Sequence, residues 1–277
     1  MSEGGWFADL DPDDVAGAAA AIRDGRADAP ADWPALAVEA GFAPDAATYY
    51  DRLNAAAVRA AREAAGEAER APDQQLVHAV RAMEDCARTA NELAERVAEW
   101  AGAVYGEAGT GVDFAREVAA REPGTPVEAC VVGLAGRVAG LADERDALRA
   151  FVEREAPAVA PNLSAMAGPV LAARLVSLAG SLQALARKPS GTLQVLGAED
   201  ALFAHLRGHA SSPKHGVIFT HEYVRGTPPA QRGSAARALA GKLTLAARVD
   251  YYSGERKPEL DAALDERIAR IRARGPS

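Results

Sequence analysis

The sequence predicts a mainly α-helical protein with a small N-terminal domain, a long antiparallel helical hairpin of the coiled-coil kind, and a compact all-α C-terminal domain. Three observations carry this. Much of the apolar content is alanine while aromatic residues are only 5%, a composition that favours helix over sheet. Two stretches repeat apolar residues at steps alternating between four and three, the heptad pattern of packed helices. Proline and glycine fall mainly between the periodic stretches, around Pro72, Gly106–Gly111, Pro157 and Pro161, where chain breaks belong. With 277 residues, 49% hydrophobic and 25% charged, the chain can bury a core and is not disordered by composition.

Residues 1–47 are rich in Ala, Asp and Pro, with a cap-like Asp11-Pro12 and turn signals at Pro30, Pro34 and Pro44. Short helices and loops are expected there, with a strand that the pattern does not place. A helix is expected from Thr48 to Arg70, ended by Pro72. The first seam then runs through Leu76, Val80, Met83, Ala87, Ala90, Ala94, Val97, Ala101 and Val104. Gly106, Gly109 and Gly111 interrupt it. The second seam runs through Val127, Val131, Leu134, Val138, Leu141, Leu148 and Val152, with Arg145 at the one polar position, and Pro157 and Pro161 close it. Two seams joined by a Gly/Pro-containing connection read as a hairpin whose first arm is on the order of 40 Å long. Such a rod has too little interior for an active site; it separates things or pairs with a second rod. Beyond it, Asn162 is the expected N-cap of a helix to Arg187 with Leu171, Leu175, Leu178, Leu182 and Leu185 as its stripe. A loop over Lys188–Gly191, a helix over Ala198–Leu206, a β-like run at Val217–Phe219 and a turn at Thr227-Pro228-Pro229 follow. Helices over Ser234–Val249 and Glu259–Arg274 end the chain. The expected domains are 1–70, 71–160 and 161–277.

No apolar run reaches 18 residues and Met1–Leu10 has neither a basic nor an apolar signal region, so a cytoplasmic protein without membrane contact is expected. Two cysteines, Cys86 and Cys130, exclude a disulfide framework and a four-cysteine zinc site. His205 and His209 have a metal-compatible spacing, but no H-E-x-x-H frame or nearby cysteine accompanies them, so no metal is expected. Gly106–Gly111 lacks the lysine of a phosphate loop. Gly133, Gly136 and Gly140 follow no strand, and Ser211–Lys214 stands without the partner motifs of the S-x-x-K enzymes. No carboxylate pair stands out, so neither catalysis nor a cofactor is expected. The charge is uneven instead. Residues 187–277 hold 15 Lys/Arg against 9 Asp/Glu, a net of +6, and residues 1–186 carry −14. Arg187-Lys188, Lys214-His215, Arg232-Gly233, Arg237, Lys242 and Arg248 fall at turns and helix starts, where arginine forks and free N–H groups meet phosphate. A nucleic-acid surface accounts for this better than a solvated helix face laced with ion pairs.

The stretches N-L-S-A-M-A-G-P-V-L-A-A-R-L-V from Asn162, Q-V-L-G-A-E from Gln194, P-K-H-G-V-I-F from Pro213, and R-G-S-A-A-R-A-L-A-G-K-L-T-L-A-A-R-V-D from Arg232 to Asp250 resemble the Nop domain of box C/D ribonucleoprotein core proteins. The segment from Pro72 to Trp100 resembles the NOSIC segment that precedes it. The resemblance implies a non-catalytic scaffold. Its N-terminal domain would hold the 2′-O-methyltransferase fibrillarin. Its hairpin would pair two copies through Leu76, Val80, Met83, Val97, Val131, Leu134, Val138 and Leu141. Its Nop domain would grip a kink-turn of the guide RNA together with a ribosomal-type kink-turn-binding protein. Residue by residue it implies contact roles for Lys188, for Gly197, Ala198 and Glu199 of the G-A-E core, for Lys214 and His215, and for Arg232, Arg237, Lys242 and Arg248. The family commonly follows G-A-E with lysine and later has L-F-R; here those places hold Asp200 and Ala204. Two missing cations imply a shallow salt dependence, unless Arg207 or His205 compensates. Two other classes compete: a pairing module without RNA binding, and an RNA-processing enzyme using the histidines.

Overall fold

In the computed structural model, which describes residues 5–27 and 29–273, every regular element is helical. The chain divides into two compact units, Met1–Ala71 and Pro72–Ser277.

The first unit holds α1 (Val15–Asp24), α2 (Trp33–Glu39) and α3 (Ala46–Glu69). Each begins on an aspartate whose carboxylate accepts first-turn N–H groups. Asp14 takes those of Ala16 and Gly17, Asp32 that of Ala35, and Asp45 that of Thr48 at 2.7 Å. Few aromatics exist in the chain, and five of them cluster here. Phe7, Phe42 and Tyr49 are buried, Phe7 and Phe42 stack at 5.6 Å, and Trp6 meets Phe42 edge-on at 5.2 Å. Trp33 packs on the same cluster. Arg23 of α1 forks onto Glu67 of α3 at 3.1 and 2.8 Å. The strand allowed for in residues 1–47 is absent among the described residues.

The second unit opens with two helices of 34 residues each, α4 (Pro72–Tyr105) and α6 (Pro126–Val159), about 50 Å long. They run antiparallel, since Leu76 and Val80 share a cluster with Val152 and Ala156, and Ala90–Ala101 share another with Val131–Val138. The connection contains a helix the sequence reading lacked. In α5 (Gly111–Ala119), Phe114, Ala115 and Val118 lie against the hairpin. Thr125 caps α6, its hydroxyl accepting from the Glu128 N–H at 3.2 Å, and the Glu128 carboxylate reaches back to the Gly124 N–H at 2.8 Å, one residue before the cap.

Of the first seam, Leu76, Val80, Met83, Ala90, Ala94, Val97 and Ala101 are buried, while Ala87 and Val104 are half-buried; the second has a different flank. On α6 the buried positions are Val131, Ala135, Val138, Ala142, Val152 and Ala156, while Leu134, Leu141 and Leu148 are half-buried and Val127 is exposed. Alanine opposite alanine (Ala90, Ala94 and Ala101 on α4) lets the backbones approach closely, and the leucines close the edges of the seam. Pro157 does not end α6. It lies in the last turn, where its lost N–H costs a single bond, and the helix runs on to Val159.

The expected single helix from Asn162 to Arg187 is three: α7 (Pro161–Ala167), α8 (Pro169–Ala179) and α9 (Leu182–Arg187). Gly168-Pro169 bends the first pair by 119°, and Gly180 separates the second. Then come α10 (Ser190–Val195), α11 (Glu199–Leu206), a 3₁₀ turn at Val217–Thr220 in place of the β-like run, α12 (Glu222–Arg225), α13 (Arg232–Tyr252) and α14 (Pro258–Arg272). The 3₁₀ turn exists because Ile218 drops fully into the core while the Gly216 and Val217 N–H groups are held by the carbonyls of Gln194 and Leu196. Arg274, the expected end of the last helix, lies outside the described residues. One core built on α13 (Ala235, Leu239, Leu243 and Ala247) gathers Leu163, Leu175, Leu185, Leu193, Ile268 and Ile271. No single helix among the described residues is long and apolar enough to cross a membrane.

Candidate nucleic-acid interface

The stretches singled out in the sequence meet one another in space. Asn162 is not an N-cap but a fully buried residue inside the first turn of α7. The cap comes from Asp250 near the end of α13. Its carboxylate accepts from the N–H groups of Asn162 and Leu163, both at 2.9 Å, and from the Asn162 side-chain amide at 2.6 Å. That amide also donates to the Glu255 carbonyl at 2.7 Å, and its oxygen accepts from the Lys257 N–H at 2.7 Å. One pair of residues thus fixes the start of α7, the end of α13 and the link to α14.

A second junction builds the exposed loop. The Gln194 amide donates to the Lys214 carbonyl at 2.8 Å, and the Gln194 carbonyl accepts from the Gly216 N–H at 2.9 Å. Gly216 must be glycine, because a Cβ there would stand 2.0 Å from the Leu196 carbonyl oxygen. With its backbone pinned on both sides, His215 stacks on Phe219 at 4.5 Å, and Arg232 sits over the same ring at 5.6 Å. The Lys214 side chain reaches past Gly233, which leaves it room. Gly197 has φ +80, the left-handed region glycine tolerates, and its N–H donates to the Glu199 carboxylate at 2.8 Å. Gly197, Ala198 and Glu199 therefore shape the turn into α11, with Gly197 and Glu199 exposed at the surface. That helix exposes Phe203 and Leu206, at 55% and 71%.

Lys214 and Arg237 line one groove of about 530 Å³, with Gln194, Ser212 and Gly233. The first turn of α13 opens beside it, with no side-chain cap on its N–H groups, a polarity suited to phosphate. Arg232, at the same turn, is partly occupied: its Nε donates to the Thr227 carbonyl at 3.0 Å and another guanidinium N–H to the Arg225 carbonyl at 3.4 Å. Lys242 lies further along α13 in a neighbouring cleft. Lys188 and Arg248 do not line the groove; Lys188 is the C-cap of α9, and Arg248 Nε donates to the Ala186 carbonyl in that same helix. Sequence reasoning missed Gln194 as the loop's anchor, although its place in Q-V-L-G-A-E next to the quoted core was the available signal.

The seam residues proposed for pairing are spent within the chain. Leu76, Val80, Met83, Val97, Val131 and Val138 are buried among their own helices, and only Leu134 and Leu141 keep partial exposure. A second copy would have to meet the outward faces instead. No group of three His, Cys, Asp or Glu side chains able to hold a metal occurs among the described residues.

A family model described as "snoRNA binding domain, fibrillarin", named Nop, matches residues 125–272, just over half of the chain. An uncharacterised NOP5 family protein of Methanocaldococcus jannaschii is 45% identical over 146 residues, 53% of this chain and 35% of the relative. Nucleolar protein 58 of Schizosaccharomyces pombe is 40% identical over 138 residues, 50% and 27% of the two chains. Human nucleolar protein 56 is 37% identical over 123 residues, 44% and 21%. The chain thus spans about a third or less of the curated relatives it matches. Among solved structures, a chain in a crystal structure of a fibrillarin/Nop5p complex superposes with a TM-score of 0.55 at 25% identity, over 97% of this chain and 99% of that one.

Proposed function

Since the chain belongs to the Nop family, we propose that it is a non-catalytic scaffold of a box C/D ribonucleoprotein that binds a kink-turn RNA through the groove at the start of α13. The carrying observation is the convergence of Lys214, Arg237 and the uncapped first turn of α13 on one open groove, beside a loop whose backbone is fixed. Cations anchored to a rigid backbone give position as well as attraction, which suits a shaped RNA better than bulk phosphate. In this reading a kink-turn-binding protein shares the RNA surface, residues 1–71 contact fibrillarin, and two copies pair through the hairpin. The fibrillarin/Nop5p likeness and the snoRNA-binding family model support fibrillarin and RNA as partners, and guide pairing would set the methylated positions.

The test is a gel shift with kink-turn RNA, with and without its kink-turn-binding protein. A supershift that requires the other protein and weakens tenfold or more in Lys214→Ala with Arg237→Ala is expected. Asp200 and Ala204, standing where the resemblance leads to an expectation of cations, favour a second reading: a pairing module that has lost RNA binding. Dimerisation without a supershift at any salt would select it.

A further inference from the structure

We propose that the cleft between α13 and α14 is a track for single-stranded RNA, continuing from the groove at Lys214; this rests on the nucleic-acid reading above. The cleft, about 660 Å³, has Arg237 and Lys242 on its α13 lip and Arg267 and Arg270 on its α14 lip. Arg237 and Ser234 line both the cleft and the Lys214 groove, so the two are continuous. Glu266 is the only carboxylate on the lips, and it meets Arg270 at 3.9 Å. Two other α14 acids are drawn elsewhere, Asp261 bonding Arg256 and Asp265 accepting from the Tyr223 hydroxyl, and Glu259 does not line the cleft. Arg237, Lys242 and Arg267 have no ion pair among the described residues. In a chain of net charge −8, where arginine after arginine elsewhere meets a carboxylate, this cleft stays cationic.

Its floor is of another kind. Leu245, 43% exposed, and Ala238 offer apolar surface there, and Gly241 has no atom within 4 Å of where a Cβ would stand, which leaves open space beside them. Cationic lips over an apolar floor match one strand, with phosphates on the lips and sugar or base faces below. No aromatic side chain lines the cleft, so binding should be indifferent to sequence. The lips are held apart at both ends of α14. Arg272 donates to the Thr227 hydroxyl at 3.2 Å and the Glu222 carbonyl at 3.0 Å, and the Lys257 N–H is held by Asn162.

The experiment is fluorescence anisotropy with the full chain and its kink-turn-binding protein on two RNAs: a blunt kink-turn hairpin, and the same hairpin with a single-stranded extension of about eight nucleotides, each neutralised phosphate being worth ~0.7 in the log–log salt slope. The extension should tighten wild-type binding at least fivefold. Arg267→Gln with Arg270→Gln should abolish that gain and lower the slope for the extended RNA by about 1.4, with the blunt hairpin unchanged. Gly241→Met, which fills the floor without altering charge, should reduce the gain and leave the slope. No gain from the extension, or equal losses on both RNAs, would overturn the track. Failure to bind the blunt hairpin while still binding a free oligonucleotide through Arg267 and Arg270 would overturn the kink-turn reading and retain the track.

Discussion

At the scale of residues, the quoted motifs are structural before they are chemical. Asp250 is 6% exposed and its carboxylate holds three donors on Asn162 and Leu163. Removing it leaves buried N–H groups unpaired, so Asp250→Ala should cost about 3 kcal/mol or more, read as a shift of the urea midpoint. Asn162→Ala added to it should cost less than it does alone, because the two share their bonds. His221 gives a second expectation. Its Nδ1 accepts from the Tyr223 N–H at 3.1 Å as the cap of α12, and its Nε2 faces the Met166 carbonyl at 3.1 Å. Only the neutral ring with a proton on Nε2 satisfies both. Burial accordingly holds its pKa below the ordinary 6.5. The unfolded chain takes up this proton first, so the contribution is whole above pH 6.5 and fades as pH falls through the lowered value. Urea midpoints from pH 7.5 to 5 should decline in the wild type and decline less in His221→Gln; equal declines would refute the assignment. None of this was legible beforehand. Asn162 fits a cap in isolation, and nothing local says that its partner lies 88 residues away.

At the scale of elements, period was legible and register was not. The steps of four and three located both arms of the hairpin. On α6, however, leucine and alanine occupy adjacent positions, so Val131, Leu134, Val138 and Val131, Ala135, Val138 satisfy the same pattern. Size decides between them only once the partner helix is known, and α4 offers alanines that draw the backbones together. Ala135→Leu should therefore overpack the seam and cost about 1–3 kcal/mol, whereas Leu134→Ala, at a half-buried edge, should cost less. Thermal melts of the two variants would reverse that order if the leucine register were the true one. Breaks were misjudged for a related reason. The leucine stripe from Leu171 to Leu185 continues in spacing through Gly180, so periodicity masked a glycine stop. The pinned loop at Lys214 depends on the Gln194 bridge between distant segments. The two lips of the cleft depend on α13 and α14 folding back on each other, which no spacing within either helix reveals.

At the scale of the whole molecule, the charge asymmetry follows the division into units more sharply than it follows halves of the chain. Met1–Ala71 contains 6 Arg and 14 Asp/Glu, a net of −8 that equals the charge of the entire chain, and residues 72–277 balance 25 against 25. Every basic residue assigned to RNA lies in the balanced unit. Arg70-Ala71 joins the end of α3 in the acidic unit to the start of α4, and the acidic unit's net charge contributes a long-range repulsion towards any polyanion. Such a field is screened within about 10 Å at 0.1 M salt and farther out at lower salt. The fragment 72–277 should consequently bind kink-turn RNA several-fold more tightly than the full chain at about 0.03 M salt, and equally at about 0.3 M. Anisotropy titrations of both proteins across that range decide it. A difference that persists at high salt would mean that residues 1–71 obstruct or contact the RNA directly. A fragment that binds more weakly at every salt would place part of the RNA site in the acidic unit, against the assignment to Lys214 and Arg237.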